Sequence, residues 1–407
     1  MGQGLVPLTY LQTLTESARV SASNLTPGYT TLAAAVTSAA AVSIAATSAA
    51  GFPGSGNYYV MIDSEQLQIT AGQGTTTWTV TRGTNGTSAA THLNAAPIFQ
   101  CATSLIPIEP VFFEPMFTRY NPALMRNSFE KFYETQIVDM HAELKGVKAP
   151  ATFETLTNFL SYFVKGSVVA TTTDSHAYSW NFSPTISSDD LAGLGAEMGN
   201  DTATYHMPAM YGDQLVMEFN RAGTSVQMTA DFLGQQAISM TAKTPGLTRT
   251  GLNMINPANT ATYLDSTVIG TTLVNDIASA KVTIKNAFQQ LFFLNGVLYP
   301  TGAVRPTRNL DMEMVQWFDS ATELANAMNA NNAGTERKIR FTSTGPTIAS
   351  STLANSLSID SYCYWDKVPF KVDKEVWNIT YTGRSVYDTS AGNSWSMALT
   401  NSLNSIP

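Results

Sequence analysis

The sequence predicts a mainly β protein with short helices, in which one β-rich unit runs twice in tandem behind an additional N-terminal β-module. Three observations predict this. Apolar and polar residues alternate at period two through much of the chain, as half-buried strands require. Helical spacing is confined to two short stretches, around residues 153–163 and 321–328. Each follows a strand of the same style, 138–144 in one case and 310–314 in the other, and each is trailed by further strands.

In chain order, residues 1–30 form an N-terminal arm whose amphipathic stretch (Leu11, Leu14, Ala18) stops at Pro27-Gly28. Residues 31–100 read as a small β-module. Tyr58, Val60 and Ile62 alternate with Tyr59, Met61 and Asp63, and Leu67 and Ile69 continue the pattern. Residues 72–76 turn the chain, Trp78 and Val80 begin another strand, and Asn85-Gly86 supplies left-handed conformations for a tight turn.

Residues 101–245 are the first unit. Pro107, Pro110, Pro115 and Pro122 keep its start extended. After strand 138–144, Pro150 breaks the chain and Thr152 caps a helix. Phe153, Leu156, Phe159, Leu160 and Phe163 share one helical face, closed by Lys165-Gly166. Strand character resumes at 178–182. Residues 215–219 and the alternating Val226, Met228, Ala230 and Phe232 form a hairpin turned at 221–223.

Residues 246–407 repeat the order. Val282 and Ile284 alternate with Lys281, Thr283 and Lys285, and Asn295-Gly296 marks a turn. Beyond 310–314, Ser320 and Glu323 have capping-box spacing for a second helix. Ile339 and Phe341 make the next strand, and Trp377, Ile379 and Tyr381 are the counterpart of the 226–232 arm.

Composition narrows the function. Only 13% of residues are charged and 44% are hydrophobic, about half the usual charged fraction of ~25%. Such neutral polar surfaces pack against other subunits without desolvating many ions. The net charge is −8 and no run of Lys and Arg occurs, so the chain lacks what gripping phosphates requires. A passage through which DNA slides without sticking fits that acidity. Cys101 and Cys363 are too few for a disulfide framework or thiolate metal site. Two free thiols are the plain expectation, and one bridge between them is the alternative. Residues 1–10 lack a basic stretch before an apolar core, so no secretion signal is expected. Residues 32–50 are mostly Ala with Thr and Ser, sparse in Leu and Ile and broken by Gly51 and Pro53, which suits short strands rather than a membrane span.

Catalytic equipment is sparse. His92, His141, His176 and His206 lie far apart, none at metal-ligand spacing to another. His141 sits on a strand beside Asp139 and Glu143, a trio for which proton transfer can be written, although a solvated or interface strand face is the simpler account. Gly193, Gly195 and Gly199 cluster with Asp189, Asp190 and Asp201, which reads as a turn-rich loop rather than a Ca²⁺ site because EF-hand spacing is missing. No phosphate-binding loop, nucleophile elbow or dinucleotide fingerprint is present. The methionines suit imperfect cores and interfaces. The basic-aromatic run 336–341 reads as a salt-bridged subunit contact.

Several segments resemble the tail tube (major tail) proteins of long, non-contractile tailed bacteriophages. Trp180-Asn181-Phe182-Ser183-Pro184-Thr185 followed by Asp189-Asp190-Leu191 is similar to that family's W-x-F-x-P-T strand and acidic loop. The 215–234 hairpin, the run RKIRFTSTGPTI from Arg337 to Ile348, and residues 377–403 with Tyr387-Asp388 and ALTNSL are similar too. The likeness spans residues 101–407. Residues 31–99 resemble a small β-module of phage virion proteins, an exterior decoration in that setting.

The resemblance implies tandem tail-tube β-sandwich or half-barrel units, each flanked by a helix, whose sheets join edge to edge around a lumen. It implies no enzyme activity and no cofactor. The partner is the chain itself, in stacked rings, with a trimeric ring of pseudo-six-fold symmetry favoured over a hexamer. Tape measure, tail terminator and distal tail proteins are further partners. Double-stranded DNA passes through the lumen unbound, and no membrane is involved. The implied place is the virion tail, after synthesis in the host bacterial cytoplasm. Asp189, Asp190, Arg221, Arg337 and Arg340 are the implied inter-subunit or stacking residues, with lumen-facing residues unassigned. Loops 189–201 and 244–257 and arm 1–30 are expected to order only on stacking. The rivals are another tail component (terminator, decoration or baseplate), a glycan hydrolase using Asp311 and Glu313, and an adhesin. The hydrolase suffers because adjacent carboxylates on one strand do not face each other across a bond.

Overall fold

A computed structural model describes residues 10–20, 27–109, 111, 113–120, 135–166, 168–185, 190–199, 204–247, 253–317, 336–373 and 376–406. In chain order, β1 is Tyr10–Val20. The module follows with β2 (Tyr29–Thr31), β3 (Ser43–Ala45), β4 (Tyr58–Ile62), β5 (Glu65–Ala71), β6 (Thr77–Thr81) and β7 (Pro97–Gln100). Then come β8 (Ser104–Pro107), β9 (Glu114–Tyr120), β10 (Gln136–Pro150), α1 (Phe153–Phe163), β11 (Thr171–Thr172), β12 (Tyr178–Phe182), β13 (Leu191–Gly199), β14 (Thr204–Asn220), β15 (Gln227–Gly234) and β16 (Ile238–Met240). A 3-10 turn at Pro257–Asn259 leads into β17 (Thr260–Asp265), β18 (Leu273–Val274), β19 (Ile277–Lys285), β20 (Gln289–Leu291), β21 (Gly302–Val304) and β22 (Asn309–Trp317). The last strands are β23 (Arg337–Thr347), β24 (Ala354–Lys367), β25 (Phe370–Asp373), β26 (Val376–Ser385) and β27 (Trp395–Asn401). The fold is mainly β, with one α-helix among the described residues and a sheet curled into a half-barrel. The second expected helix, with Ser320 and Glu323, lies outside the described residues.

The module is a six-stranded sheet, β2-β7-β4-β5-β6-β3, with its own core around Trp78, Val60, Leu67 and Ile69. Its Asn85-Gly86 turn has φ of 50° and 83°, as that dipeptide predicts. β1 and β8 flank the module and pair directly, Tyr10 with Pro107 and Thr13 with Ser104. The module therefore interrupts a hairpin. It rests on the first unit through Met61, Phe99 and Cys101, which pack with Met240.

Beyond the module most buried apolar residues among those described share one core, reaching from Leu11 to Leu399, with a small separate cluster of Ala209, Tyr211 and Ala303. Strand pairings in this part occur twice. The set β1·β8, β1·β13, β13·β14, β14·β15, β10·β15, β9·β10 and β14·β16 recurs as β17·β18, β17·β23, β23·β24, β24·β26, β22·β26, β19·β22 and β24·β27. The irregularities agree as well. The β14·β15 ladder skips Asp213 and the β24·β26 ladder skips Asp366. β14 serves two sheets, pairing with β13 and β16 up to Met210 and with β15 and β19 from Tyr211 onward. Ala209, held at φ 52°, marks that corner.

α1 starts as its sequence predicts. The Thr152 hydroxyl accepts the Thr155 N–H at 3.0 Å and the Thr155 hydroxyl answers the Thr152 N–H. Every residue of the helix is buried, including Glu154, Thr157, Asn158 and Ser161. Residues from the second run hold both of its ends. Asn401 Nδ2 donates to the Phe153 carbonyl at 2.8 Å, and Asn286 Nδ2 donates to the Phe163 carbonyl at 3.0 Å. Those two rings sit on glycines, since an added Cβ at Gly345 would meet Phe153 at 2.4 Å and one at Gly212 would meet Phe163 at 2.6 Å.

Two expectations need correction, and one alternative falls away. Residues 191–199 are a strand and not a turn-rich loop. All nine residues of β13 are buried between β1 and β14, and their Gly and Ala content lets α1 come close. Residues 191–199 are therefore not a loop awaiting order. The arm 1–30 likewise contributes β1, sealed by two ladders, because β13 would otherwise expose its outer edge. Cys101 and Cys363 are free, buried thiols in separate clusters, so no bridge joins them.

Candidate assembly interface

Among the described residues no group of His, Cys, Asp and Glu is arranged to hold a metal ion. No described helix is long and apolar enough to cross a membrane. His141 Nε2 lies 3.4 Å from Glu143, whose other oxygen meets Lys145 at 2.5 Å, an ion-paired strand face. Asp311 pairs with Lys285 at 2.8 Å across β22 and β19.

The predicted contact residues lie on separate elements. Asp189 falls outside the described residues. Asp190 is exposed just before β13, and its carbonyl accepts the Gly166 N–H at 2.8 Å. Arg221 opens the β14–β15 turn and lines a cleft of about 270 Å³ with Phe219, Leu273, Ile277 and Phe341. Arg337 begins β23 opposite Cys363. Arg340 makes a bidentate pair with Asp360 at 2.7 and 2.6 Å, and that hydrogen bonding raises its already high pKa. Lys338 pairs with Asp388 at 3.1 Å. The salt bridges of 336–341 are thus made inside the chain.

What the structure does present is a seam and two edges. The seam joins the two runs: β14 pairs antiparallel with β19, from Gln214 against Lys285 to Asn220 against Ser279. Its inner face is apolar and buried, with Leu215 opposite Ile284, Met217 opposite Val282 and Phe219 opposite Ala280. Its outer face carries Glu218 and Lys281, 3.4 Å apart. Asn286 N–H bonds to Asp213 O at 2.8 Å and Arg221 N–H to Ala278 O at 3.4 Å, so the hydrogen-bonded pairs are the inward-facing ones.

Among the described residues, two of the one-sided edges are β9, paired only with β10, and β24–β25 beyond Cys363, paired only with β26; the shorter β8, β11, β16 and β18 are others. Every residue of β9 is exposed, Phe117 by 49%. Val372 on β25 is 56% exposed. An exposed apolar tip, Phe292, Phe293 and Leu294, projects from the β20–β21 hairpin, beyond the end of β19 opposite the Arg221 cleft. Uncovered edges of this kind invite pairing with another chain. Sequence reasoning missed them, although the alternation of Lys367 and Lys371 with Val368, Phe370 and Val372 was a readable sign of a half-buried strand.

A buried polar joint holds the module in place. Glu197 accepts hydrogen bonds from Thr244 N at 2.8 Å, Thr244 Oγ1 at 2.6 Å and Ala102 N at 3.2 Å, and burial raises its pKa. Its cross-strand partner His206 is fully buried against Phe99, with neither ring nitrogen hydrogen-bonded among the described residues. Burial alone lowers the His206 pKa to about 3. A lowered histidine pKa gives stability that is complete above the unfolded value near 6.5 and lost as pH falls toward 3. His206→Leu should remove that slope, raising stability at pH 5 by ~2 kcal/mol relative to wild type at the same pH. Denaturant midpoints at pH 7 and pH 5 check it, and parallel losses in both proteins would refute it.

Neither a scan against protein-family models nor a search of curated proteins finds a match for this chain.

Proposed function

We propose that this chain is a structural virion subunit that polymerises as stacked rings into a phage tail tube, the conduit for genome DNA. The observation that carries this reading is the β14·β19 seam. It joins two like units edge to edge, head to tail, and a head-to-tail joint repeated between copies yields a ring where the rotation closes. The exposed β9 and β24–β25 edges are what such repetition uses. The apolar tip at 292–294 and the Arg221 cleft, at opposite ends of β19, suit contacts between successive rings. Net charge of −8 suits a bore that does not retain DNA.

In this reading each chain supplies two units, so a trimeric ring presents pseudo-six-fold symmetry to the lumen. Tape measure, terminator and distal tail proteins meet the ends of the tube, and the 31–100 module decorates its outside. Negative-stain images of concentrated protein test the proposal. Hollow cylinders with trimeric class averages are expected. A six-chain ring would overturn the stoichiometry, and protein that stays monomeric at every concentration would overturn the function.

A further inference from the structure

The duplicated pairings carry a register from one half of the molecule to the other. The matched irregularities align Gly212 with Trp365 and Phe232 with Gly383. Leu144 pairs with Phe232 and Met312 with Gly383, so Leu144 aligns with Met312. Glu114 pairs with Glu143 and Thr283 with Asp311, so Glu114 aligns with Thr283. On this frame, residues 367–372 are the counterpart of 214–219, and residues 111–116 are the counterpart of 280–285. Inside the chain, 214–219 and 280–285 are joined. Among the described residues their counterparts are not joined to each other: 367–372 lies on the one-sided β24–β25 edge, and 114–116 open the one-sided β9, with Val111 and Phe113 in the chain that leads into it.

We infer that residues 367–372 pair antiparallel with residues 111–116 of a second copy of this chain, in the register of the β14·β19 seam. The inference rests on the tube reading and assigns the edge that links one chain to the next. Transferred to this joint, the seam places Val368 opposite Pro115, Phe370 opposite Phe113 and Val372 opposite Val111 of the second copy. All three inward pairs are apolar, as Leu215–Ile284, Met217–Val282 and Phe219–Ala280 are within the chain. Outward, Lys367 faces Met116 and Pro369 faces Glu114. Glu114 then lies diagonally between Lys367 and Lys371, within reach of long side chains. All three of these charged residues are exposed in the single chain.

Proline placement fits the joint. Pro369 corresponds to Val216, outside the hydrogen-bonded pairs of the seam, so its missing N–H costs the joint nothing. Pro115 occupies a hydrogen-bonded position and removes one bond there. It also makes β9 a poor partner for a strand arriving in another register.

Paired cysteines test the register. Lys367 and Met116 fall at a non-hydrogen-bonded position, where Cα atoms lie about 4.5 Å apart, inside disulfide range. The native thiols are buried. Under mild oxidation at assembling concentrations, full-length protein carrying Lys367→Cys and Met116→Cys should give a ladder of covalent multimers on a non-reducing gel, lost on reduction. Lys367→Cys with Tyr120→Cys, displaced along the strand by about 13 Å, should give none. Tubes in the microscope without the ladder, or equal ladders from both variants, would overturn this joint and leave the tube reading standing. Wild-type protein that never assembles would overturn both.

Discussion

Arg82→Ala should melt the N-terminal module while the remaining fold holds, at a cost of about 3–5 kcal/mol. The Glu65 side chain is fully buried, and the Arg82 guanidinium grips it at 2.7 Å through both Nε and Nη2. Gly83 N–H at 3.0 Å, Ala90 N–H at 2.9 Å and His92 Nε2 at 2.9 Å complete its shell. Arg82 also donates to the Ala90 carbonyl, so the pair pins loop 83–92 onto the sheet. Deleting the guanidinium leaves a carboxylate buried without its cation, which is costlier than never having had the pair. Arg82→Lys should fall between, because an ammonium cannot make the forked contact.

Acid offers a second readout of the same residues. Burial pushes the Glu65 pKa up, but Arg82, the Ala90 N–H, His92 and the Gly83 N–H outweigh it and hold the carboxyl at about 2. A lowered carboxyl pKa contributes stability that is full above the unfolded value near 4.5 and is lost as pH falls toward 2. Unfolding of the module, followed by fluorescence of the buried Trp78, should therefore begin at higher pH in Arg82→Ala. An unchanged acid profile and denaturant midpoint would contradict the argument.

Asn401→Ala should cost about 3 kcal/mol and loosen the core shared by the two runs. Asn401 is fully buried and fully used. Its Nδ2 donates to the Phe153 carbonyl and to Thr157 Oγ1, both at 2.8 Å, and its Oδ1 accepts from Trp180 Nε1 at 3.1 Å and Leu403 N–H at 3.0 Å. Alanine strands the indole N–H in the interior and leaves a void beside α1. Hydrogen exchange in α1 and β12 should accelerate, with the β2–β7 module unaffected. Equal protection in both proteins would show that β27 is held by apolar packing alone.

Much of this architecture was legible in the sequence, and the gaps have physical causes. The strands at 226–232, 310–314 and 337–341 announced themselves because one face is buried and the other wet. β13 hid because both of its faces are covered, so no alternation survives in Leu-Ala-Gly-Leu-Gly-Ala. α1 was found through its cap and phenylalanine spacing, but that spacing carries no sign that Asn158 and Ser161 are buried as well. Asn286 and Asn401 carry no local signal of their role, because it depends on chain brought from more than a hundred residues away. The candidate interface was hardest to read. Whether a strand is an edge depends on what pairs beside it, and that is decided by topology.

Because Tyr29–Thr31 runs alongside Pro97–Phe99, the module between them begins and ends at neighbouring points, about 5 Å apart across a ladder. A foreign domain whose own termini lie close together meets the same geometric demand, and lengthening such an insertion costs little closure entropy. The interrupted hairpin is therefore a natural grafting point, where cargo can be exchanged on the scaffold without redrawing its sheets.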